Sequence, residues 1–240
     1  MLFTALRLFI FSSILASFFV VVAQRTLNNT SFILGRSHCD YCHTPLKFRH
    51  LIPILSYCFQ KGRCAFCHHP LSPIYPLAEI TFALITHFLI FLNFPNFFLI
   101  TLIHILLFIM AISDLTALIV PDRWQVLLAI LALFSFFQTI SSEKIYSHLL
   151  LAGGLMLLFF FLSKGNHSKI GGADIKCLLI LSFILSPMQF SLLLLLSSGL
   201  MVAVFFGMWG LGYKLSTLKL PFLPAIWLGF DVVLCMPFVF

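Results

Sequence analysis

Long, uninterrupted apolar runs restrict the fold of this chain more than any other feature of its sequence. Eight such runs, separated by charged residues, Pro and Gly, cover residues 3–23, 77–93, 97–113, 124–140, 147–163, 174–187, 189–212 and 221–239. Most approach the roughly 20 residues with which a helix crosses a bilayer, and they are continuous rather than alternating as barrel strands are. We therefore predict an all-α polytopic membrane protein with about eight transmembrane helices.

Composition excludes a soluble domain and divides the chain into parts. Charged residues make up 9% of the 240 positions and hydrophobic residues 61%, whereas an ordinary soluble domain is about 25% charged. The exception is the polar segment 25–76, which carries six of the 14 basic residues and four closely paired cysteines. We predict a first transmembrane helix at 1–24, a small cytoplasmic loop domain at 25–76 and a seven-helix bundle at 77–240.

The basic residues predict the orientation of the helices. With eight spans, 12 basic residues fall on one face of the membrane and only Arg7 and Lys144 on the other, which by the positive-inside rule makes the first face cytoplasmic. A cleaved signal peptide at 1–24 is the alternative, but the apolar stretch is too long and the basic segment after it would have to cross the membrane. Topology also explains the net charge of +7, so it indicates no nucleic-acid partner. The 12 residues are Arg25, Arg36, Lys47, Arg49, Lys61, Arg63, Arg123, Lys164, Lys169, Lys176, Lys214 and Lys219.

Two C-x-x-C pairs, Cys39 with Cys42 and Cys64 with Cys67, predict a metal site in the loop domain. Their separation is close to that of two-knuckle zinc sites, and four thiolates would leave no open position on the ion, so Zn²⁺ would be structural. A loop of this size has too little core to fold alone, and a metal supplies the missing free energy. Two disulfides or unpaired thiols are the alternative, which a reducing cytoplasm disfavours.

Asp114 and Asp174 are the acidic residues whose positions most suggest catalysis. Asp114 ends the third apolar run, and Asp174 begins the sixth directly after Gly171, Gly172 and Ala173. Carboxylates at such depth usually face a bundle interior or a water-filled cavity. Two of them facing one cavity would share a proton and act as general acid and general base on a bound water. Each one alone could instead be an interfacial charge or a helix cap.

The other acids are less informative. Asp122 follows Pro121, a pair typical of a turn and helix start, and the sequence leaves the roles of Glu79 and Asp231 open.

Several motifs together resemble those of the prepilin peptidases, the type IV leader peptidases of the A24 aspartic peptidase family, including the competence-type members. The N-terminal region carries Arg36-Ser37-x-Cys39, Leu51-Ile52-Pro53-Ile54, Gly62-Arg63-Cys64 and Pro76-Leu77-x-Glu79. The run from Asp114 to Asp122 is similar to the first catalytic motif, Gly172-Ala173-Asp174 to the G-x-G-D signature, and Leu220-Pro221-Phe222-x-Pro224 to a motif before the last span. Ala173 departs from the expected Gly, and Lys47 to His50 stand where many members carry an acidic residue or Asn.

The resemblance implies a function. Asp114 and Asp174 would be the catalytic residues of an endopeptidase in the cytoplasmic (inner) membrane of a bacterium, which removes the basic leader from type IV prepilins and pseudopilins. In many members the new N-terminus is also methylated from S-adenosylmethionine.

Two functions of other classes remain possible from the residues alone. Paired C-x-x-C loops also suit a membrane thiol-disulfide oxidoreductase, although the basic residues hold this loop on the reducing side. An ion transporter could use Asp114 and Asp174 in its path, but this leaves the cysteine loop unexplained.

Overall fold

A computed structural model describes residues 2–31, 35–39, 41–92, 96–139, 142–164, 171–212 and 220–236. Over these residues the chain forms α-helices, one short 3-10 turn and no strand. The α-helices are α1 (Leu2–Leu27), α2 (Leu55–Phe59), α3 (Ile74–Leu92), α4 (Phe97–Ala117), α5 (Asp122–Thr139), α6 (Ser142–Lys164), α7 (Gly172–Leu181), α8 (Pro187–Gly210) and α9 (Leu223–Leu234). The all-α prediction is thus confirmed for the described residues.

The chain divides into two units, Met1–Phe97 and Phe98–Phe240. In the first unit, α1 packs along α3, and the segment between them contains the four paired cysteines. Ala16 and Ala23 on α1 and Ala83 on α3 have no exposed surface. Small side chains at such an interface let two helices approach closely without a large loss of contact area.

In the second unit, α4 and α9 are deeply buried: nearly every residue of α4 from Ile103 to Asp114 is covered, and so are most residues of α9. A capping box formed by Ser186 and Gln189 begins α8, and α9 packs against α8. A Cβ at Gly229 of α9 would lie 3.1 Å from Leu193 Cδ1 of α8, so the glycine permits this close approach. Side chains of α4 and α9 are therefore presented from buried helices of this unit.

Four helices within the described residues are long and apolar enough to cross a membrane: Phe3–Leu27, Ile74–Leu92, Phe97–Ala117 and Pro187–Gly210. Apart from the short helix α2, the helices within the described residues correspond in order to the eight predicted runs, but the number of spans stays a prediction.

The predicted helix at 174–187 was too long. Helix α7 has 10 residues, about 15 Å at 1.5 Å per residue, which is half of a usual span. After Leu181 the chain forms a turn. Ser186, the residue before Pro187, is extended with ψ 158°, as residues before proline prefer, so a helix cannot continue to residue 187. The last helix likewise occupies Leu223–Leu234 rather than 221–239, and residues 237–240 lie outside the described part.

Candidate active site and cysteine cluster

The four paired cysteines lie on two turns of the same construction. In each turn the first cysteine carbonyl accepts the N–H of a His four residues later, from His43 to Cys39 at 2.9 Å and from His68 to Cys64 at 3.0 Å. Both His residues have a positive φ, 54° and 56°. An antiparallel bridge closes each turn, between His38 and Pro45 and between Arg63 and Pro70. The pattern Cys-x-x-Cys-His-x-Pro-Leu occurs twice in the sequence. This repeat could have predicted two similar turns, but sequence analysis missed it.

The turns bring the four thiols together. The Sγ atoms of Cys39, Cys42, Cys64 and Cys67 lie within 4.8 Å of one another, and those of Cys39 and Cys67 are 3.9 Å apart. Sulfur atoms on a tetrahedral zinc ion at about 2.3 Å are about 3.8 Å apart, whereas a disulfide bond is about 2.05 Å long. The cluster therefore has the donor set and the size for a four-thiolate metal site.

The surroundings of the thiols suit metal-ligand chemistry. Hydrogen bonds with the Thr44 side chain and backbone lower the pKa of Cys42 to about 6. A backbone hydrogen bond at His69 acts in the same direction on Cys67, but burial and the neighbouring thiols outweigh it and raise the pKa of Cys67 to about 11. Without a cation, thiolates this close repel one another.

Asp114 lies near the end of α4 and is 8% exposed. Its Oδ2 accepts a hydrogen bond of 3.1 Å from the backbone N–H of Leu223, the first residue of α9. A helix N-terminus carries unpaired N–H groups and a partial positive charge, so it stabilises a carboxylate there. The motif at 220–224 thus has a structural role that sequence analysis did not find: it begins the helix that holds Asp114.

Asp174 lies in the first turn of α7, close enough to Asp114 for the two carboxyl groups to interact electrostatically. The carboxyl also lies against Gly171, where an added Cβ would be 2.7 Å from Asp174 Oδ2. A Cβ at Gly172 would have no neighbour within 4 Å. The structure therefore brings the two predicted catalytic residues into one region, and the space beside Asp174 depends on Gly171.

Two contacts attach the start of α5 to α7. Lys176 Nζ donates to Asp122 Oδ1 at 2.7 Å, and Gln125 Nε2 donates to the carbonyl of Ala173 at 3.3 Å. Asp122 is 76% exposed on its side chain, in agreement with a helix-start role, whereas Gln125 is buried. Sequence analysis did not single out Gln125, since a lone amide in an apolar helix carries no motif.

A buried polar pair joins α4 and α9 away from Asp114. His104 Nδ1 lies 2.9 Å from Asp231 Oδ1 and 3.0 Å from Oδ2, and the indole of Trp227 packs beside the imidazole at 5.6 Å between ring centroids. Both paired side chains are almost fully buried. The role of Asp231 that the sequence left open is therefore a contact with His104, ten residues before Asp114 on the same helix.

Glu79, on α3 of the first unit, is 8% exposed. Its Oε2 accepts the backbone N–H of Ile54 at 2.7 Å, and Ser17 also hydrogen-bonds to it. Ile54 has a positive φ of 61°, which is strained for a β-branched residue. Glu79 therefore holds the turn at Pro53-Ile54 in place.

Comparisons with known proteins agree with this architecture. Residues 10–94 match the model of the bacterial Peptidase A24 N-terminal domain, and residues 99–207 match that of the Type IV leader peptidase family. A prepilin leader peptidase/N-methyltransferase of Bacillus subtilis (strain 168) is 32% identical over 231 residues, which cover 92% of this chain and 90% of that relative.

Two shorter matches point to the same activity. A prepilin leader peptidase/N-methyltransferase of Klebsiella pneumoniae is 38% identical over 80 residues, 30% of this chain and 35% of the relative. A type 4 prepilin-like proteins leader peptide-processing enzyme of Escherichia coli O78:H11 is 41% identical over 54 residues, 22% and 20% of the two chains. No solved structure matches this chain significantly.

Proposed function

This chain belongs to the type IV leader peptidase family, and on that premise we propose that Asp114 and Asp174 cleave the leader from prepilins and pseudopilins. The observation behind this proposal is that Asp114, near the end of α4, and Asp174, in the first turn of α7, lie close enough for their charges to interact. The relatives described above are named as peptidases or leader-processing enzymes. This favours a peptidase over the thiol oxidoreductase and the ion transporter.

The contacts of the two acids suggest different roles. The N-terminus of α9 stabilises a negative charge on Asp114 through the Leu223 amide, which suits a general base that takes a proton from water. Asp174 would then carry the shared proton and give it to the scissile carbonyl oxygen as water adds. The tetrahedral intermediate collapses when the leaving amine is protonated, which needs the proton that Asp114 received.

The test is cleavage by variants that keep the shape of the carboxyl. Asp114→Asn and Asp174→Asn should each lower the rate at least about 10²-fold, because an amide cannot exchange the proton. Asp122→Asn is the matched control, since its side chain is exposed. The readout is the N-terminal mass of a prepilin co-expressed with each stably inserted variant. Near wild-type cleavage by either active-site variant would overturn the proposal.

We further propose that the cysteine cluster holds one structural Zn²⁺. The carrying observation is the approach of all four Sγ atoms to within 4.8 Å. Thiolates fill all four positions of such an ion, so Cys39, Cys42, Cys64 and Cys67 would fix the fold of the loop and take no part in hydrolysis.

Methylation of the new N-terminus, which the relatives' name includes, we assign to the first unit. A cleft of about 620 Å³ there is lined by Arg36, Lys47 and Arg49 among others. These cations could pair with the carboxylate of S-adenosylmethionine, whereas its ammonium and sulfonium groups find no acidic side chain among the described residues of this lining. When bound, S-adenosylmethionine would supply the methyl group. The cleft is also lined by Pro45, whose bridge with His38 closes the first cysteine turn, so the cysteine cluster would support its wall.

We propose that both activities face the cytoplasm of a bacterium from its inner membrane. The 12 basic residues predicted on one face include Arg25, Arg36 and Lys176, which support this orientation.

A further inference from the structure

A smaller cavity lies in the first unit beside the cysteine cluster. Its volume is about 190 Å³, and its lining includes Ser17 and Gln24 of α1, His50 and Tyr57 of the loop segment, and Tyr75 and Glu79 of α3. Apolar side chains such as Val20, Leu51 and Leu71 cover much of the rest. Glu79 is the acidic residue in this lining.

The carboxyl group of Glu79 has hydrogen-bond donors but no opposite charge. Neither ion pair within the described residues includes Glu79, although its side chain is nearly buried. A buried carboxylate without a cation is costly, and its two oxygens can accept more bonds than the two that Ile54 and Ser17 donate. A cation entering the cavity would supply the missing charge.

A second polar group of the lining also lacks a partner. His50 Nδ1 is buried and has no hydrogen bond, and His50 lines the same cavity as Glu79. A primary ammonium carries three N–H donors, so it can bond to a carboxylate and to further acceptors at once.

The size and position of the cavity restrict the kind of ligand that it can bind. Pockets for drug-sized molecules are usually about 300–1,000 Å³, so a cavity of about 190 Å³ accepts one amino-acid residue rather than the whole methyl donor. The cavity shares Ser37, Leu46 and Leu51 with the larger cleft of about 620 Å³. A group held in the small cavity would therefore adjoin a molecule held in the cleft.

We propose that this cavity binds the N-terminal residue of the cleaved pilin, with its α-ammonium group against Glu79 and its side chain against the apolar walls. The inference rests on the proposed methylation, because it identifies where the acceptor amine is held. Glu79 is then a substrate-binding residue as well as the acceptor for the Ile54 N–H.

The test measures binding without cleavage or methylation. Phenylalanine amide, which has an ammonium group and an apolar side chain but no carboxylate, is titrated into the purified full chain in detergent and followed by calorimetry. N-acetylphenylalanine amide is the neutral control. The variant Glu79→Gln keeps an oxygen that can accept the Ile54 N–H while it removes the charge, so a purely structural role of Glu79 would leave binding unchanged.

We expect wild-type protein to bind the free amine in preference to the acetylated probe, and Glu79→Gln to bind the amine at least about ten-fold more weakly. Equal binding of both probes, or unchanged binding by a folded Glu79→Gln protein, would overturn the inference. Methylation of the new N-terminus of a processed pilin is measured in parallel on wild-type protein, by mass. A chain that methylates without amine selectivity rejects only this inference, whereas one that selects the amine but does not methylate rejects the proposed methylation.

Discussion

Gly171 and Gly172 are neighbours in the sequence but differ in the space around them. A Cβ at Gly171 would meet Asp174 Oδ2 at 2.7 Å, whereas a Cβ at Gly172 meets nothing within 4 Å. Gly171 has φ −63° and ψ 130°, which any residue can adopt. A glycine is therefore needed at this position because a larger side chain would not fit, and not because the backbone conformation excludes other residues. The tolerance of Ala173 in place of the expected Gly is compatible with this, since it is Gly171 that the carboxyl contacts.

Gly171→Ala should therefore lower cleavage at least about ten-fold, because a shift of about 1 Å in a catalytic group can cost up to 10²-fold. Gly172→Ala is the matched control and should stay within about two-fold, since alanine is favoured over glycine in a helix. The measurement is the cleavage rate of a purified prepilin by each variant at equal enzyme concentration. Similar losses in both variants would count against steric control of Asp174.

Asp122→Ala should reduce cleavage only a few-fold. Asp122 and Lys176 form an exposed pair, with side chains 76% and 57% accessible, and such pairs contribute about 0–1 kcal/mol. Lys176→Ala should have a similar effect, and the double variant should be little worse than either single one because the same contact is lost. If Asp122→Ala abolishes cleavage while Asp114→Ala retains it, the first catalytic aspartate is Asp122.

At the scale of elements, the loop between α1 and α3 depends on two short turns that cannot bury a core of their own. Four thiols from these turns meet within 4.8 Å, so one ion would join two segments about 25 residues apart. Cys58 belongs to the same loop but is exposed and lies outside the cluster. It therefore offers a control with the same chemical change.

The variant Cys39→Ser with Cys42→Ser should lose most of its zinc, whereas Cys58→Ser should keep about one equivalent. If the cluster supports the cleft at Arg36 and Arg49 as proposed, the double variant should lose at least as much methylation as cleavage. Metal analysis and the mass of the processed N-terminus measure the two effects separately. Native protein with less than about half an equivalent of zinc and freely alkylated thiols would argue against a closed site.

Another element-scale feature concerns how α4 and α9 are joined. The Leu223 amide contacts Asp114, and Asp231 contacts His104, so two polar contacts connect the same pair of helices. Interhelical hydrogen bonds are one of the forces that hold helices together where the surroundings are apolar. The register of α9 on α4, and with it the amide presented to Asp114, follows from both.

At the scale of the whole molecule, the two units carry different chemistry. The first contains the cysteine cluster and the cavity at Glu79, and the second contains Asp114 and Asp174. The boundaries of the two family models, at 10–94 and 99–207, fall close to the division of the structure at Phe97. Cleavage and methylation would therefore be separable by mutation.

Orientation can be tested through Cys58, the exposed cysteine of the loop. A membrane-impermeant maleimide should label Cys58 in inverted membrane vesicles and not in intact spheroplasts, since the basic loop is expected on the cytoplasmic side. Tyr146→Cys in a Cys58→Ser background, at an exposed position of α6, should show the opposite pattern. Labelling of Cys58 in spheroplasts would reverse the proposed topology.

The class of protein, the approximate positions of the helices, the four metal-ligand candidates and the two catalytic candidates could all be predicted from the amino-acid sequence. Each of these depends on local information: an apolar run must be helical in a bilayer because its backbone groups have no other partners, and two C-x-x-C pairs are recognisable by spacing. The repeated turn at the two cysteine pairs could also have been predicted from the repeated sequence pattern, but it was not.

The partners of the functional residues could not be predicted from the sequence and became known from the folded structure. Leu223 and Asp114 are 109 positions apart, and no local pattern predicts that the start of α9 meets the end of α4. The same holds for the contact of His104 with Asp231, the opposite surroundings of Gly171 and Gly172, and the cavity at Glu79. Composition fixes which segments become helices, whereas packing of side chains between distant segments fixes which atoms meet, because each such contact depends on the position of both elements at once.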